Sequence, residues 1–98
     1  MLKKQYAKDK KTCKVTFALP DEVNASDAVL HGDFTKWNKD PVKMKRYKDG
    51  NFKASVTLKA GKKYRFRYLL DGERWENDWQ ADAYAPNEFG SDDSIVKV

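Results

Sequence analysis

The chain has 98 residues, 40% of them hydrophobic and 36% charged, with a net charge of +5. That length suits one domain with one core, about two-thirds of its unfolded surface buried. No apolar run reaches the roughly 18 residues of a membrane-crossing helix, and the lysine-rich start has no apolar stretch of a secretory signal. A single cysteine, Cys13, has no disulfide partner and no second thiol for a zinc site, so a reducing, cytoplasmic setting is expected.

From the N-terminus, residues 1–14 hold six lysines against one aspartate, and the other 84 residues balance. Residues 1–13 therefore read as a basic, flexible, solvated arm, and 14–98 as the folded domain. Within the domain, 15–70 carries twelve basic and six acidic residues, and 71–98 two basic and eight acidic. A nucleic-acid binder more often spreads positive charge over a folded face, so nucleic acid is not the expected partner; with no membrane-crossing run, a membrane is not expected either.

Period-two alternation follows. Residues 14–19 put Val15, Phe17 and Leu19 on one face; 28–32 and 42–47 read as shorter strands. Residues 51–58 align Phe52, Ala54, Val56 and Leu58. Residues 64–70 align Tyr64, Phe66, Tyr68 and Leu70, with Arg65 and Arg67 on the opposite face. Residues 94–98 read as a last strand. Asp49-Gly50, the segment 59–62 and Asp71-Gly72 are turn signals, since glycine tolerates positive φ. Residues 79–93 show no strand pattern and read as a long loop. No useful stretch has helical period. The expectation is all-β: an immunoglobulin-like antiparallel β-sandwich of about seven strands, without the cysteine pair of antibody domains.

Catalysis finds little support. His31 stands in a predicted strand without a nucleophile motif and reads as a plain surface or edge histidine. Asp21-Glu22 and Asp92-Asp93 are sequence neighbours, which point apart along a chain rather than across a sugar. The acidic residues of 71–78 lack calcium-loop spacing, and no phosphate-binding glycine loop occurs. No enzyme activity, metal or cofactor is expected. Binding is better supported. Three tryptophans, Trp37, Trp75 and Trp79, are too many for a small core already supplied with Phe17, Phe52, Tyr64, Phe66 and Tyr68. At least one indole, and by this count two, should be exposed. Exposed aromatic planes beside Arg, Asn, Asp and Ser suit a pyranose, which offers an apolar C–H face and a rim of hydroxyls. Stacked nucleic-acid bases fit less well, because two of the three indoles lie in the acidic part.

Three segments in this order, GDFTKW at 32–37, YRFRYLLDGERWEND at 64–78 and YAPNEFGSDDSIVKV at 84–98, resemble the family 48 carbohydrate-binding modules. That family includes the glycogen-binding domain of the AMP-activated protein kinase β subunit and the N-terminal domains of isoamylase and glycogen branching enzymes. The resemblance implies an early-set sandwich that binds α-1,4-glucans such as glycogen, starch or maltooligosaccharides without chemistry. It implies Trp37 and Trp75 as stacking platforms, Arg67 and Asp93 as hydrogen-bonding partners, Ser91 as a lesser one and Phe89 as an apolar wedge. It also implies a glycogen-metabolising enzyme or kinase as companion. The chain departs from the family at Arg67 (lysine in the kinase form), Ser91 (threonine), Asp93 (asparagine), Trp79 (proline) and by one extra residue between Gly72 and Trp75. The alternative is a protein-interaction or scaffold domain of the same fold that binds little or no sugar.

Overall fold

A computed structural model describes residues 2–98. Ten strands form two antiparallel sheets packed as a sandwich: β1 Leu2–Tyr6, β2 Thr12–Leu19, β3 Ala28–Gly32, β4 Val42–Lys43, β5 Lys45–Arg46, β6 Phe52–Lys59, β7 Lys63–Leu70, β8 Arg74–Glu76, β9 Ala83–Pro86 and β10 Asp92–Lys97. One sheet runs β1-β2-β6-β5. The other runs β4-β3-β7-β10-β9, with β8 also on β7. Strand β8 pairs with Tyr68–Leu70 while β10 pairs with residues 63–66, so the two share one flank of β7 and β3 takes the other.

Alternation builds the core. Cys13, Val15, Phe17 and Leu19 of β2 face Leu30 of β3, Phe66, Tyr68 and Leu70 of β7, and Val96 of β10, all essentially sealed. Phe17 stands edge-on to Phe66, with ring centroids 4.9 Å apart, a favoured aromatic geometry. The Asp71-Gly72 turn has φ of 55° and 70°, the paired positive values of a tight hairpin, and Asp71 Oδ1 accepts from the N–H groups of Ser26 and Asp27.

The structure departs from the sequence expectation at β8, which no expected strand covered, and in three further places. Residues 2–6 are not a solvated arm but an edge strand, registered on β2 from Leu2↔Phe17 to Tyr6↔Cys13. Its alternate side chains Leu2 and Lys4 turn toward the core side, and Lys4 Nζ reaches Asp82 Oδ2 at 2.7 Å. The run 42–47 is two strands rather than one: β4 joins β3, β5 joins β6, and buried Met44 carries the chain from one layer to the other. The segment 79–93 contains β9, paired with β10 through Asp92↔Pro86 to Ile95↔Ala83. Its alanines carry too little apolar mass to read as a strand, and its proline sits at an edge, where a ladder tolerates it.

Candidate functional site

Beyond the core-facing positions, the outer face of the β4-β3-β7-β10-β9 sheet carries His31 of β3, Arg65 and Arg67 of β7, and Asp93 of β10. Two loops and one strand frame it. The first loop begins at Gly32, where backbone approaches so closely that an added Cβ would lie 2.7 Å from Arg65 O. A single 3-10 turn, Asp33–Thr35, follows, and then Lys36 and Trp37 both adopt positive φ, 51° and 56°. A bulky side chain in that region is strained, so its surroundings must hold it. They do. Trp37 N donates to Gly32 O at 2.9 Å, and Trp37 Nε1 donates to Asp33 Oδ1 at 3.2 Å. Trp37 O accepts from His31 Nδ1 at 3.1 Å, and Thr35 Oγ1 points its proton at the carbonyls of Gly32 and Trp37. Because a carbonyl only accepts, His31 Nδ1 carries a proton.

His31 is 5% exposed, which corrects its reading as a plain surface or edge histidine. It does lie on the outward face, but Trp75 of β8 covers it, the two ring centroids 5.1 Å apart at 70°. Register sets His31 beside Arg67, whose guanidinium carbon lies 5.5 Å from the centre of the Trp75 ring. Arg67 Nε is enclosed and makes no hydrogen bond to a protein group among the described residues. Trp75 remains 42% exposed and Trp37 half-buried.

The far side of the groove is built by the 86–91 loop. Asn87 Oδ1 accepts from Phe89 N and Ser91 N, and Asn87 N donates to Ser91 O. This knot lifts Phe89 to the tip, 82% exposed. Asp93 is buried beneath. Its Oδ2 receives Arg65 Nη1 at 3.1 Å and its Oδ1 receives Asn87 Nδ2 at 3.1 Å. Each oxygen thus already has a donor, and the first effect of Asp93 is to hold Arg65 and Asn87 in place. Arg65 Nη1 also donates to Pro86 O.

Trp37, Arg67, Trp75, Phe89, Ser91 and Asp93 all line one open groove of about 850 Å³. Asn38, Arg65, Pro86, Asn87 and Glu88 line it too and were missed by sequence reasoning. Arg65 carried a usable signal, since the alternation of 64–70 put it outward with Arg67; Asn87 carried none beyond its loop composition. Trp79, whose place the sequence left open, is 55% exposed and lies outside this lining. The groove offers aromatic planes, a guanidinium, an amide and a hydroxyl, the equipment of a recognition surface. Among the described residues no group of His, Cys, Asp and Glu could hold a metal ion, and no helix is long and apolar enough to cross a membrane.

A two-layer β-sandwich with an aromatic groove on one outer face is the architecture of a recognition module. The chain belongs to the family described as the glycogen recognition site of AMP-activated protein kinase, whose profile matches residues 8–98. The match begins beyond β1. Among curated proteins no match was found.

Proposed function

We propose that the chain binds α-1,4-glucans, such as glycogen, starch or maltooligosaccharides, without catalysing a reaction on them. One observation carries the reading: the two indoles of Trp37 and Trp75 line the same groove with Arg67 at the Trp75 ring. Membership of a glycogen-recognition family supports it. In this reading the indoles stack on glucose rings, whose axial C–H groups lie against the π face. Arg67 offers guanidinium N–H groups to sugar hydroxyls, and Ser91 adds a hydroxyl. Phe89, raised at the loop tip, wedges against the turn of the glucan helix. Asp93 acts on the sugar directly and through Arg65 and Asn87. The setting is the cytoplasm, with a glycogen-metabolising enzyme or kinase as companion.

An open groove binds weakly; a dissociation constant between about 1 mM and 1 μM corresponds to about −4 to −8 kcal/mol. Titration with maltoheptaose should change tryptophan fluorescence saturably within that range. Trp37→Ala should abolish the change while the circular dichroism of the fold persists. No response at millimolar sugar, or a response indifferent to Trp37→Ala, overturns the proposal.

A further inference from the structure

The outer face of the other sheet, on the opposite side of the sandwich from the groove, carries charge of one sign. Register aligns its outward positions across the strands: Lys3 with Thr16 and Ser55, Lys14 with Thr57, and Lys45 with Lys53, while Lys59 sits opposite Thr12. Among the described residues of these four strands, the outward positions hold five lysines and no carboxylate. Lys45 and Lys53 stand directly opposite each other, an arrangement that costs stability in an antiparallel pair. Both ammonium groups sit over the ring of Tyr47, at 5.5 and 5.1 Å. Lys3 comes from the stretch expected to be a solvated arm and Lys14, Lys45, Lys53 and Lys59 from the domain, so folding gathers onto one plane a charge that the sequence scatters.

We infer that this lysine face is a peripheral docking surface for an anionic lipid bilayer. Shape and chemistry select that occupant. The face is a plane of roughly 14 by 26 Å, from four strands of up to eight residues. A duplex nucleic acid is read by an element that enters a groove, and none projects here. A single strand needs a series of aromatic platforms, and among the described residues this face offers one ring, Tyr47, with two lysines over it. A stable protein interface is depleted in lysine and centres on buried apolar anchors. Between the lysines lie instead small hydroxyls, with Thr16 Oγ1 and Ser55 Oγ 3.0 Å apart. Lysines are compact, hydrated point charges, which suit attraction to a charged plane without bidentate recognition. The absence of a membrane-crossing apolar run speaks to insertion, not to docking of a charged face at a lipid surface. A chain docked this way keeps its groove turned toward solvent.

The test is sedimentation of the intact protein with vesicles of phosphatidylcholine, alone or mixed with phosphatidylserine. Binding should require phosphatidylserine and fall steeply with salt. Lys14→Gln, Lys53→Gln and Lys59→Gln together should weaken it roughly a hundredfold, since each lysine near a charged surface contributes about a fivefold change in partition. The same triple variant should bind maltoheptaose as the parent does, which separates failure of this face from failure of the groove. Lack of sedimentation at low salt, equal binding to neutral vesicles, indifference to the triple substitution, or tighter retention by duplex DNA than by phosphatidylserine vesicles overturns the inference.

Discussion

Removing the imidazole of His31 takes away a donor to Trp37 O and the edge that meets the Trp75 ring. His31→Ala should therefore cost about 1 kcal/mol of stability for the lost bond and weaken maltoheptaose binding severalfold. His31→Asn, which keeps an N–H able to reach the carbonyl, should recover part of the affinity. Calorimetric titration of both variants reads the outcome, and equal affinity in His31→Ala would show that the indoles hold their places unaided. The aromatic count showed only that some indoles should be exposed; the family resemblance is what singled out Trp37 and Trp75. The support from His31 was not legible. The reading of a plain surface or edge histidine missed its cover, because what lies over His31 comes from β8, more than forty residues away in sequence.

At the scale of elements, β1 shows why a strand can hide in a charged segment. Its sequence, LKKQY, offers little apolar mass, and one of its side chains is tied to a residue 78 positions distant, Lys4 to Asp82. Burial pushes the Asp82 carboxyl up, but the hydrogen bonds from Lys4 Nζ and Lys97 N, with the charges of both lysines, outweigh it and hold Asp82 below the ordinary carboxylate value. A depressed carboxylate stabilises the fold above its unfolded value and loses that contribution as pH falls through its folded one. The window here lies below about pH 4. Protection of the β1–β2 ladder amides, corrected for their intrinsic exchange rate, should fall there in the parent. In Asp82→Asn the protection should be low already near neutrality and change less on acidification. A parent ladder indifferent to acid would remove Asp82 as the latch. By contrast, β2, β3, β6, β7 and the close of β10 were legible within a few residues, because they carry apolar residues at core-facing positions and the turns around β6 and β7 carry glycine.

Across the whole molecule, one polar cluster joins the core to the segment beyond β8. Tyr68 Oη donates to Asp78 Oδ2 at 2.7 Å, Asp78 N donates to Ser94 Oγ, and Ser94 Oγ donates to Asn77 Oδ1. Burial first, then the Asp78 charge and hydrogen bond, push the Tyr68 phenol well above its ordinary value. A raised group contributes its full stability below the unfolded value and loses it as pH rises toward the folded one. The parent should therefore lose stability above about pH 10, where the unfolded phenol ionises. Tyr68→Phe should be less stable by about 1.5–3 kcal/mol at neutral pH, for a bond to a charged group, and should show a shallower alkaline loss. Denaturant melts at a series of pH values would decide it, and parallel alkaline slopes would refute the assignment. The sequence showed Tyr68 as a core residue but gave no sign that its hydroxyl had a buried acceptor, since Asp78 reads as one carboxylate in an acidic run.

The crossing at Met44 has a consequence for how this sandwich comes apart. A few residues of continuous backbone belong to both layers, and Met44 N is itself bonded to Ala28 O. Neither layer can peel away and leave the other intact without tearing that shared segment from both. The two sheets are thereby tied into a single melting unit, which is what an all-or-none transition requires.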